Sequence, residues 1–344
     1  MRCSFRPQFG AAVVLVAATL LSVAPGRLLA QVTAPVESAP VESATVTAVP
    51  VSAPQAAESH TPAQGQSVDF ITPHITDSHH LEIPWPNSHL AREIPLPHFP
   101  PVNIGGVEVD FSPTKHVVFM LFAATLASVL LIGAASRSRR QHGESGHTRG
   151  FAGGIEAMAL YLRNEVVLPN VGHHGQKFVP FALTLFFFIL CCNLLGLFPY
   201  GATATGNISV TATLAIITAV VVEGAGIRAN GWGYLRTIFY WNNELPIVMR
   251  VVMFFVMSAV EAVGKLSKPF ALAIRLFANM TAGHIVLLAI IGLIFTFQNY
   301  YIAGVPVLMA TAISVLELLV SFLQAFIFTL LACVFIGQMR EAHH

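Results

Sequence analysis

Charged side chains are scarce in this sequence. Its 344 residues include eighteen Lys and Arg and seventeen Asp and Glu, so only 10% are charged, while 55% are hydrophobic. Soluble domains carry about 25% charged residues, and the mean hydropathy of +0.68 is far from that class. Net charge is near zero, and no basic stripe interleaved with aromatic side chains indicates a nucleic-acid partner. The composition predicts an all-α polytopic membrane protein whose partner is the lipid bilayer.

Cysteine is also rare. Cys3 lies near the N-terminus, while Cys191, Cys192 and Cys333 lie in apolar runs, with no spacing typical of a disulfide framework or a metal site. No His/Glu ligand motif occurs inside an apolar run either. We therefore expect neither a metal nor a cofactor.

Three segments precede the first apolar span. Residues 1–30 carry Arg2 and Arg6, then "AAVVLVAATLLSVA" and "GRLLAQ", a pattern typical of a secretory signal cleaved near Ala30. An uncleaved signal anchor is the alternative. Residues 31–76, rich in Ala, Pro and Val, are predicted to be a disordered linker. Residues 77–116, with many prolines, are predicted to be an irregular extracytoplasmic segment. A periplasmic metal site at its histidines is the alternative, but no helical or strand spacing organises them. These histidines are His79, His80, His89 and His98.

The membrane domain is predicted to cover residues 117–340. Its apolar spans are residues 117–135, 178–198, 208–222, 247–297 and 305–337. An α-helix needs about 20 apolar residues to cross the hydrocarbon, so we expect about five membrane-inserted helices. No internal repeat is evident.

Loop charges predict the orientation. The loop after the first span, "SRSRRQHGESGHTRG", is basic, and Arg228, Arg236 and Arg250 follow the third span. The loops "YGATATGN" and "QNYYIAG" carry no charge. The positive-inside bias therefore predicts an extracytoplasmic N-terminus and a cytoplasmic C-terminus.

The fourth span is too long for one perpendicular helix. Residues 247–297 would extend over roughly 75 Å as a straight helix, more than twice the hydrocarbon thickness. The helix must be tilted, kinked near Pro269 or folded into a hairpin. We favour tilt or a kink, because "KLSKP" is a poor turn sequence, and we expect the last two long helices to form an antiparallel pair.

Polar residues inside these two spans share helix faces. Asn279 lies one turn after Arg275, and Glu261, fourteen residues earlier, falls within about 40° of the same face. Glu317 and Gln324 are seven residues apart, so they also share a face.

An antiparallel register with Gln324 level with Arg275 brings two titratable groups together. His284 then lies roughly 13 Å from Arg275 along its helix, and Glu317 roughly 10 Å from Gln324 on the same side. The register predicts that His284 and Glu317 form one protonatable pair, with Glu261 on the opposite side of Arg275. Two groups of proton acceptors divided by a fixed cation are what two offset aqueous half-channels require.

These segments resemble a known family. "LSKPFALAIRLFANMTAGH" and "LELLVSFLQAFIFTLL" are similar to the membrane-embedded a subunit of F-type ATP synthases, the stator part of the proton turbine. Supporting matches are "HHL", "FVPFALTLFFFILCCNLLGLFPY" and "GNISVTATLAI", so the resemblance covers roughly residues 77–339. It implies a proton-conducting F0 subunit, not an enzyme by itself, that couples proton flow to ATP synthesis.

The resemblance also implies partners and residue roles. The partners are a ring of small two-helix c-type subunits, each with a mid-membrane carboxylate, and b-type peripheral stalk subunits. Arg275 would meet the ring carboxylate and block proton leak. His284, Glu317, Glu261, Asn279 and Gln324 would belong to the proton paths. In many relatives the His284 and Glu317 positions carry the acid and the imidazole the other way round.

Other polar residues have two interpretations. Asn193, Asn207 and Ser209 are candidates for lining the outer path, although a helix–helix hydrogen bond explains them almost as well. Glu261 is either a proton acceptor or half of an i,i+4 ion pair with Lys265.

The alternative function is a secondary transporter or an ion channel with intramembrane charges. Such folds usually contain two related halves, and none is visible. The His/Glu pair favours protons over sodium, because imidazole titrates near neutral pH and is a poor sodium ligand.

Overall fold

The computed structural model does not describe the whole chain. The described residues are 80–83, 92–97, 102–104, 107–109, 112–144, 150–172, 175–197, 203–234, 246–297 and 300–341. The predicted signal peptide and linker lie outside the described residues, as do His79, His89 and His98.

Two small β-hairpins precede the first long helix. Strand β1 (His80–Ile83) pairs antiparallel with β2 (Arg92–Pro95), and β3 (Val102–Ile104) pairs antiparallel with β4 (Val107–Val109). The expectation of an irregular segment was therefore wrong for these residues. The runs of β1, β3 and β4 alternate apolar and polar side chains, as strands do, but the abundant prolines hid the pattern.

The rest of the described chain is helical. In chain order the helices are α1 (Lys115–Glu144), α2 (Phe151–Tyr161), a π-helical turn (Leu162–Val167), α3 (Leu168–Val171), α4 (Val179–Gly196), α5 (Ile208–Asn230), α6 (Ile247–Phe297) and α7 (Tyr300–Glu341). Short 3-10 turns cover Gly175–Lys177, Ala204–Gly206 and Gly231–Tyr234. Within the described residues, α1, α4, α5, α6 and α7 are long and apolar enough to cross a membrane. This confirms the prediction of five helices with the last two longest.

Several helices run beyond their apolar stretches. Helix α1 continues through "SRSRRQHGE" to Glu144, and α5 continues through "EGAGIRAN" to Asn230. Hydropathy marks only the part of a helix that suits lipid, whereas the backbone hydrogen bonds continue into polar sequence. The predicted apolar spans were therefore shorter than α1 and α5.

Helix α6 is continuous over its 51 residues, with Pro269 inside it. This excludes the hairpin. A proline removes one backbone donor and kinks a helix rather than reversing it. A helix of about 75 Å exceeds the hydrocarbon thickness of about 30 Å, so α6 either tilts in a bilayer or extends beyond it.

The helical segment from α2 to α3 was not anticipated from the sequence. It buries Leu162, Val166, Val167 and Val171 while exposing Tyr161. The π-helical turn immediately precedes Pro169, whose missing N–H cannot bond to the carbonyl one turn earlier. The charged residues between the apolar positions obscured this amphipathic pattern.

The core surrounds α4. Its side chains from Ala182 to Asn193 are all buried, because α4 packs between α1 and α7. Helix α7 also packs along α5 and α6. In contrast, α6 and α7 retain long exposed apolar sides, including Val263, Leu266, Phe270 and Val315. This surface is suited to lipid or to a partner in the membrane.

One end of the helix bundle, here called the basic end, carries Arg228, Lys265, Lys268 and Arg340. Interhelical hydrogen bonds hold it together. The Lys268 ammonium donates to Gln338 Oε1 at 3.3 Å, and Arg340 donates to the Val171 carbonyl at 3.1 Å. The opposite end contains the 3-10 turn at Ala204–Gly206 and the start of α5.

Candidate functional site

Helices α6 and α7 run antiparallel. Lys268 on α6 contacts Gln338 on α7 at the basic end, and farther along α6, Gly283 contacts Glu317. From the basic end, residue numbers thus rise along α6 and fall along α7. The second contact places Glu317 level with Gly283, within one residue of His284, which is the depth that the antiparallel register predicts.

The Glu317 carboxylate lies where Gly283 has no side chain. A Cβ atom added at Gly283 would collide with Glu317 Oε1 and would lie 3.2 Å from its Cγ and Cδ atoms. Glu317 and the neighbouring His284 are both half-buried. The absence of one side chain therefore allows α7 to direct a carboxylate against α6 at this level.

Arg275 lies on the exposed side of α6. Leu272, Ala273 and Leu276 around it in sequence are buried, while Arg275 and Asn279 one turn later are exposed. Within the described part of the chain, the Arg275 guanidinium has no ion-pair or hydrogen-bond partner. A permanent charge in such a position is expensive in lipid unless a partner or water meets it.

Gln324 lies inside the bundle with 6% of its surface exposed. Glu317, seven residues earlier, is half-buried, so the side of α7 that they share turns inward. Among the described residues there is no hydrogen bond between Gln324 and Arg275. Gln324 and Arg275 thus lie at matching levels of the antiparallel pair, but their polar atoms do not contact each other.

Asn193 connects three elements in the core. It is fully buried, its amide donates to the Ser321 carbonyl on α7 at 3.4 Å, and its Oδ1 accepts from the Thr205 hydroxyl at 2.7 Å. The structure therefore shows the helix–helix hydrogen bond that was one of its two interpretations. Ser321, one turn after Glu317, has a buried hydroxyl without a partner among the described residues.

This polar patch extends to α6. The Thr281 hydroxyl donates to the Gly206 carbonyl at 3.4 Å, which joins α6 to the 3-10 turn before α5. Thr205, Thr281 and Ser321 were not identified from the sequence. For Ser321, the i+4 spacing from Glu317 was a usable signal, whereas the other two carry no local pattern.

Asn207 and Ser209 begin α5. Asn207 has an extended backbone and its Oδ1 accepts from the Ser209 amide at 2.9 Å, as an N-cap residue does. Both side chains are half-buried at the end opposite the basic end. N-capping of α5 explains why an asparagine stands at position 207, whether or not its side chain also borders a water path.

Glu261 is half-buried on α6, toward the basic end from Arg275. Lys265, one turn later, does not pair with it. The Lys265 ammonium instead lies 2.6 Å from the Tyr234 hydroxyl and 3.5 Å from the Glu223 carboxylate. The alternative interpretation of Glu261 as the partner of Lys265 was therefore wrong, and Glu223 and Tyr234 were missed.

Comparison with known proteins gives consistent matches. The family model of the ATP synthase A chain matches residues 117–337. An ATP synthase subunit a from Chloroherpeton thalassium is 44% identical over 271 residues, which are 78% of this chain and 76% of the relative. An ATP synthase subunit a 2 from Chlorobaculum tepidum is 40% identical over 293 residues, 85% of this chain and 78% of the relative. Another from Chlorobium luteolum is 38% identical over 327 residues, 90% of this chain and 89% of the relative.

Five long apolar helices, of which α6 and α7 carry ionisable side chains inside their apolar stretches, are typical of a membrane protein that moves ions. The matches with known proteins specify which kind of membrane protein this is. The chain belongs to the ATP synthase A chain family. It is the proton-conducting stator subunit of a bacterial F0 sector, a multi-pass membrane protein without catalytic activity of its own.

Proposed function

We propose that Arg275 separates two proton paths that reach the same surface of α6. One path passes His284 and Glu317, and the other passes Glu261. The observation that carries this proposal is the contact of Glu317 with Gly283, next to His284, while Glu261 lies fourteen residues from Arg275 in the other direction. Proton acceptors thus stand on both sides of one fixed cation.

The exposed apolar side of α6 is where we place a partner ring of c-type subunits. The exposure of Arg275 supports this placement, because an arginine exposed to lipid costs from about 3 to more than 10 kcal/mol, depending on the method. A carboxylate at mid-membrane on each ring subunit would meet the guanidinium in passing. Arginine suits this role better than lysine, because a guanidinium keeps its charge even when it is desolvated.

His284 and Glu317 act together on the extracytoplasmic path. Ser321 lies one turn after Glu317 on α7, and buried Asn193 bonds to its carbonyl and to the Thr205 hydroxyl, so this side of α7 offers water or protons a polar lining. Asn207 and Ser209 are at the mouth of the same end. The function belongs to the pair, which is why an exchange of acid and imidazole relative to other family members is tolerable.

The basic end faces the cytoplasm in this proposal. Arg228, Lys265, Lys268 and Arg340 all lie at this end, and the positive-inside bias then puts the C-terminus inside. The N-terminus would be extracytoplasmic after signal cleavage. The b-type stalk subunits would be partners at the cytoplasmic surface.

Protons move through this arrangement in three steps. A proton enters past His284 and Glu317 and neutralises a ring carboxylate, the ring then turns nearly once, and the carboxylate releases its proton toward Glu261. Arg275 favours the ionised carboxylate between the two paths and repels protons that would cross directly. Each proton driven by 100 mV supplies about 2.3 kcal/mol, so several must pass for each ATP made elsewhere in the complex.

Single carboxamide variants test the two paths. Glu317→Gln and Glu261→Gln should each lower proton-driven ATP synthesis in membrane vesicles, with the complex assembled in normal amount. Glu165→Gln is a matched control, because Glu165 is exposed on the π-helical turn, away from α6. Unchanged synthesis with Glu261→Gln would remove the second path from the proposal.

A further inference from the structure

Lys265 is held by a cluster of three groups at the basic end. Its side chain is only 12% exposed, and its ammonium donates to the Tyr234 hydroxyl and lies over the Tyr234 ring, 4.1 Å from the centroid. The Glu223 carboxylate lies 3.5 Å from the ammonium and also accepts from the Tyr234 hydroxyl. A nearly buried ammonium requires such partners, since a desolvated charge without them is costly.

The end of α5 is shaped to form this cluster. After Asn230 the chain turns at Gly231, whose φ of +54° favours glycine, and the 3-10 turn folds Tyr234 back onto α5. Tyr234 lies so close to Gly226 that an added Cβ there would be 2.7 Å from the tyrosine Cε2 atom. Tyr234 is consequently 4% exposed and has one fixed place beside Lys265.

This cluster holds Lys265 in place of an ion pair that the sequence of α6 alone would favour. Glu261 precedes Lys265 by four residues, and a Glu before a Lys at this spacing is the preferred order of a helical ion pair. In the structure the ammonium is directed to Glu223 on α5 instead. Within the described residues, no cation pairs with Glu261.

We propose that Glu223 and Tyr234 are positioning residues for proton release: they hold the Lys265 ammonium away from Glu261, so that Glu261 can accept protons. This inference rests on the proposed role of Glu261. An opposite charge within about 4 to 6 Å favours the ionised form of a carboxylate by about tenfold or more. A Glu261 paired with Lys265 would therefore seldom take a proton from the ring.

A purely structural tie between α5 and α6 makes a different prediction. If the Glu223–Lys265 pair only holds the helices together, its loss lowers the amount of assembled complex, and the conduction of each assembled subunit stays normal. If Glu223 instead restrains Lys265, losing Glu223 lowers the conduction of each assembled subunit, and it does so only while the lysine is present. Conduction normalised to the assembled subunit therefore separates the two.

The experiment measures passive proton conduction through F0 in vesicles stripped of F1, normalised to the amount of this subunit in the complex. Glu223→Gln should lower conduction by about threefold to tenfold, because the released ammonium then pairs with Glu261. Lys265→Met alone should stay close to the unsubstituted chain, and Glu223→Gln with Lys265→Met should recover to the same level. A double variant as poor as Glu223→Gln would overturn the inference.

Two further variants complete the design. Tyr234→Phe keeps the ring under the ammonium but removes the hydroxyl, so a smaller loss is expected, and Lys265→Met should relieve it too. Glu261→Gln separates the two proposals. If Glu261→Gln conducts normally, the proposed role of Glu261 and this inference both fail. If Glu261→Gln is impaired but the double variant shows no recovery, this inference alone fails.

Discussion

The carboxylate of Glu317 occupies the space beside Gly283 that a side chain would otherwise take. This contact sets the level of α7 against α6, and it brings a carboxylate next to His284. The proposed extracytoplasmic path depends on it, and the next two predictions test it.

Adding a methyl group at position 283 should disturb conduction more than assembly. Gly283→Ala would push the end of the flexible Glu317 side chain aside, and a misplaced proton carrier is costly, so we expect about a tenfold loss of proton conduction or more. The complex should assemble normally, since alanine favours a helix over glycine. Gly292→Ala is the matched control on α6, because among the described residues no atom from outside the adjoining helix backbone lies within 4 Å of its Cβ position. Equal conduction in both variants would contradict the role given to this contact.

Exchanging the two members of the pair should restore function that single changes remove. His284→Glu and Glu317→His should each lower proton conduction by about tenfold or more, as expected for a lost acid–base group. The variant with both changes should conduct better than either, because it again has one acid and one imidazole at this level. Strictly additive losses would mean that the two side chains act separately.

Asn193 should contribute mainly to stability. Asn193→Ala leaves the Thr205 hydroxyl and the Ser321 carbonyl without their buried partner, at a cost of about 1 to 3 kcal/mol. Thermal unfolding of the purified complex should detect this as a lower midpoint for this subunit. Thr213→Ala is the control, since among the described residues that hydroxyl bonds only to the Ser209 carbonyl of its own helix. An unchanged midpoint for Asn193→Ala would show that the buried bonds are replaced, for example by water.

Helical spacing predicted similar levels for His284 and Glu317 once Gln324 was set level with Arg275. His284 lies nine residues after Arg275 and Glu317 seven residues before Gln324, so an antiparallel pair brings them to similar levels. The partner of Lys265 could not be predicted in the same way. The i+4 rule predicts Glu261, but Lys265 pairs with Glu223 on α5 and with Tyr234, which the turn at Gly231 folds back onto α5. No local pattern encodes these contacts.

The fold, like the site, could be predicted only in part from the sequence. The long apolar stretches predicted the five long helices because lipid imposes both length and composition. The hairpin strands β1 to β4 and the helical segment around Pro169 were not predicted, since they are short and prolines or charged residues interrupt their apolar patterns. Asn193 shows why polar residues in spans are ambiguous: a buried amide satisfies a neighbouring helix as readily as it lines a path.

The orientation follows from charge and can be measured directly. A C-terminal fusion of this subunit to a reporter that is active only in the cytoplasm should be active, because Arg340 and the other cations of the basic end favour that side. The same fusion to a reporter that is active only outside should be silent. The opposite pattern would reverse both proton paths.

Proton-driven ATP synthesis in vesicles that carry Arg275→Ala tests the central claim most directly. Removing the guanidinium takes away both the attraction for the ring carboxylate and the barrier between the paths, so we expect no synthesis above background in a fully assembled complex. Arg137→Ala is the control for charge removal, since Arg137 is exposed near the end of α1, and it should synthesise ATP normally. Undiminished synthesis with Arg275→Ala would contradict the account.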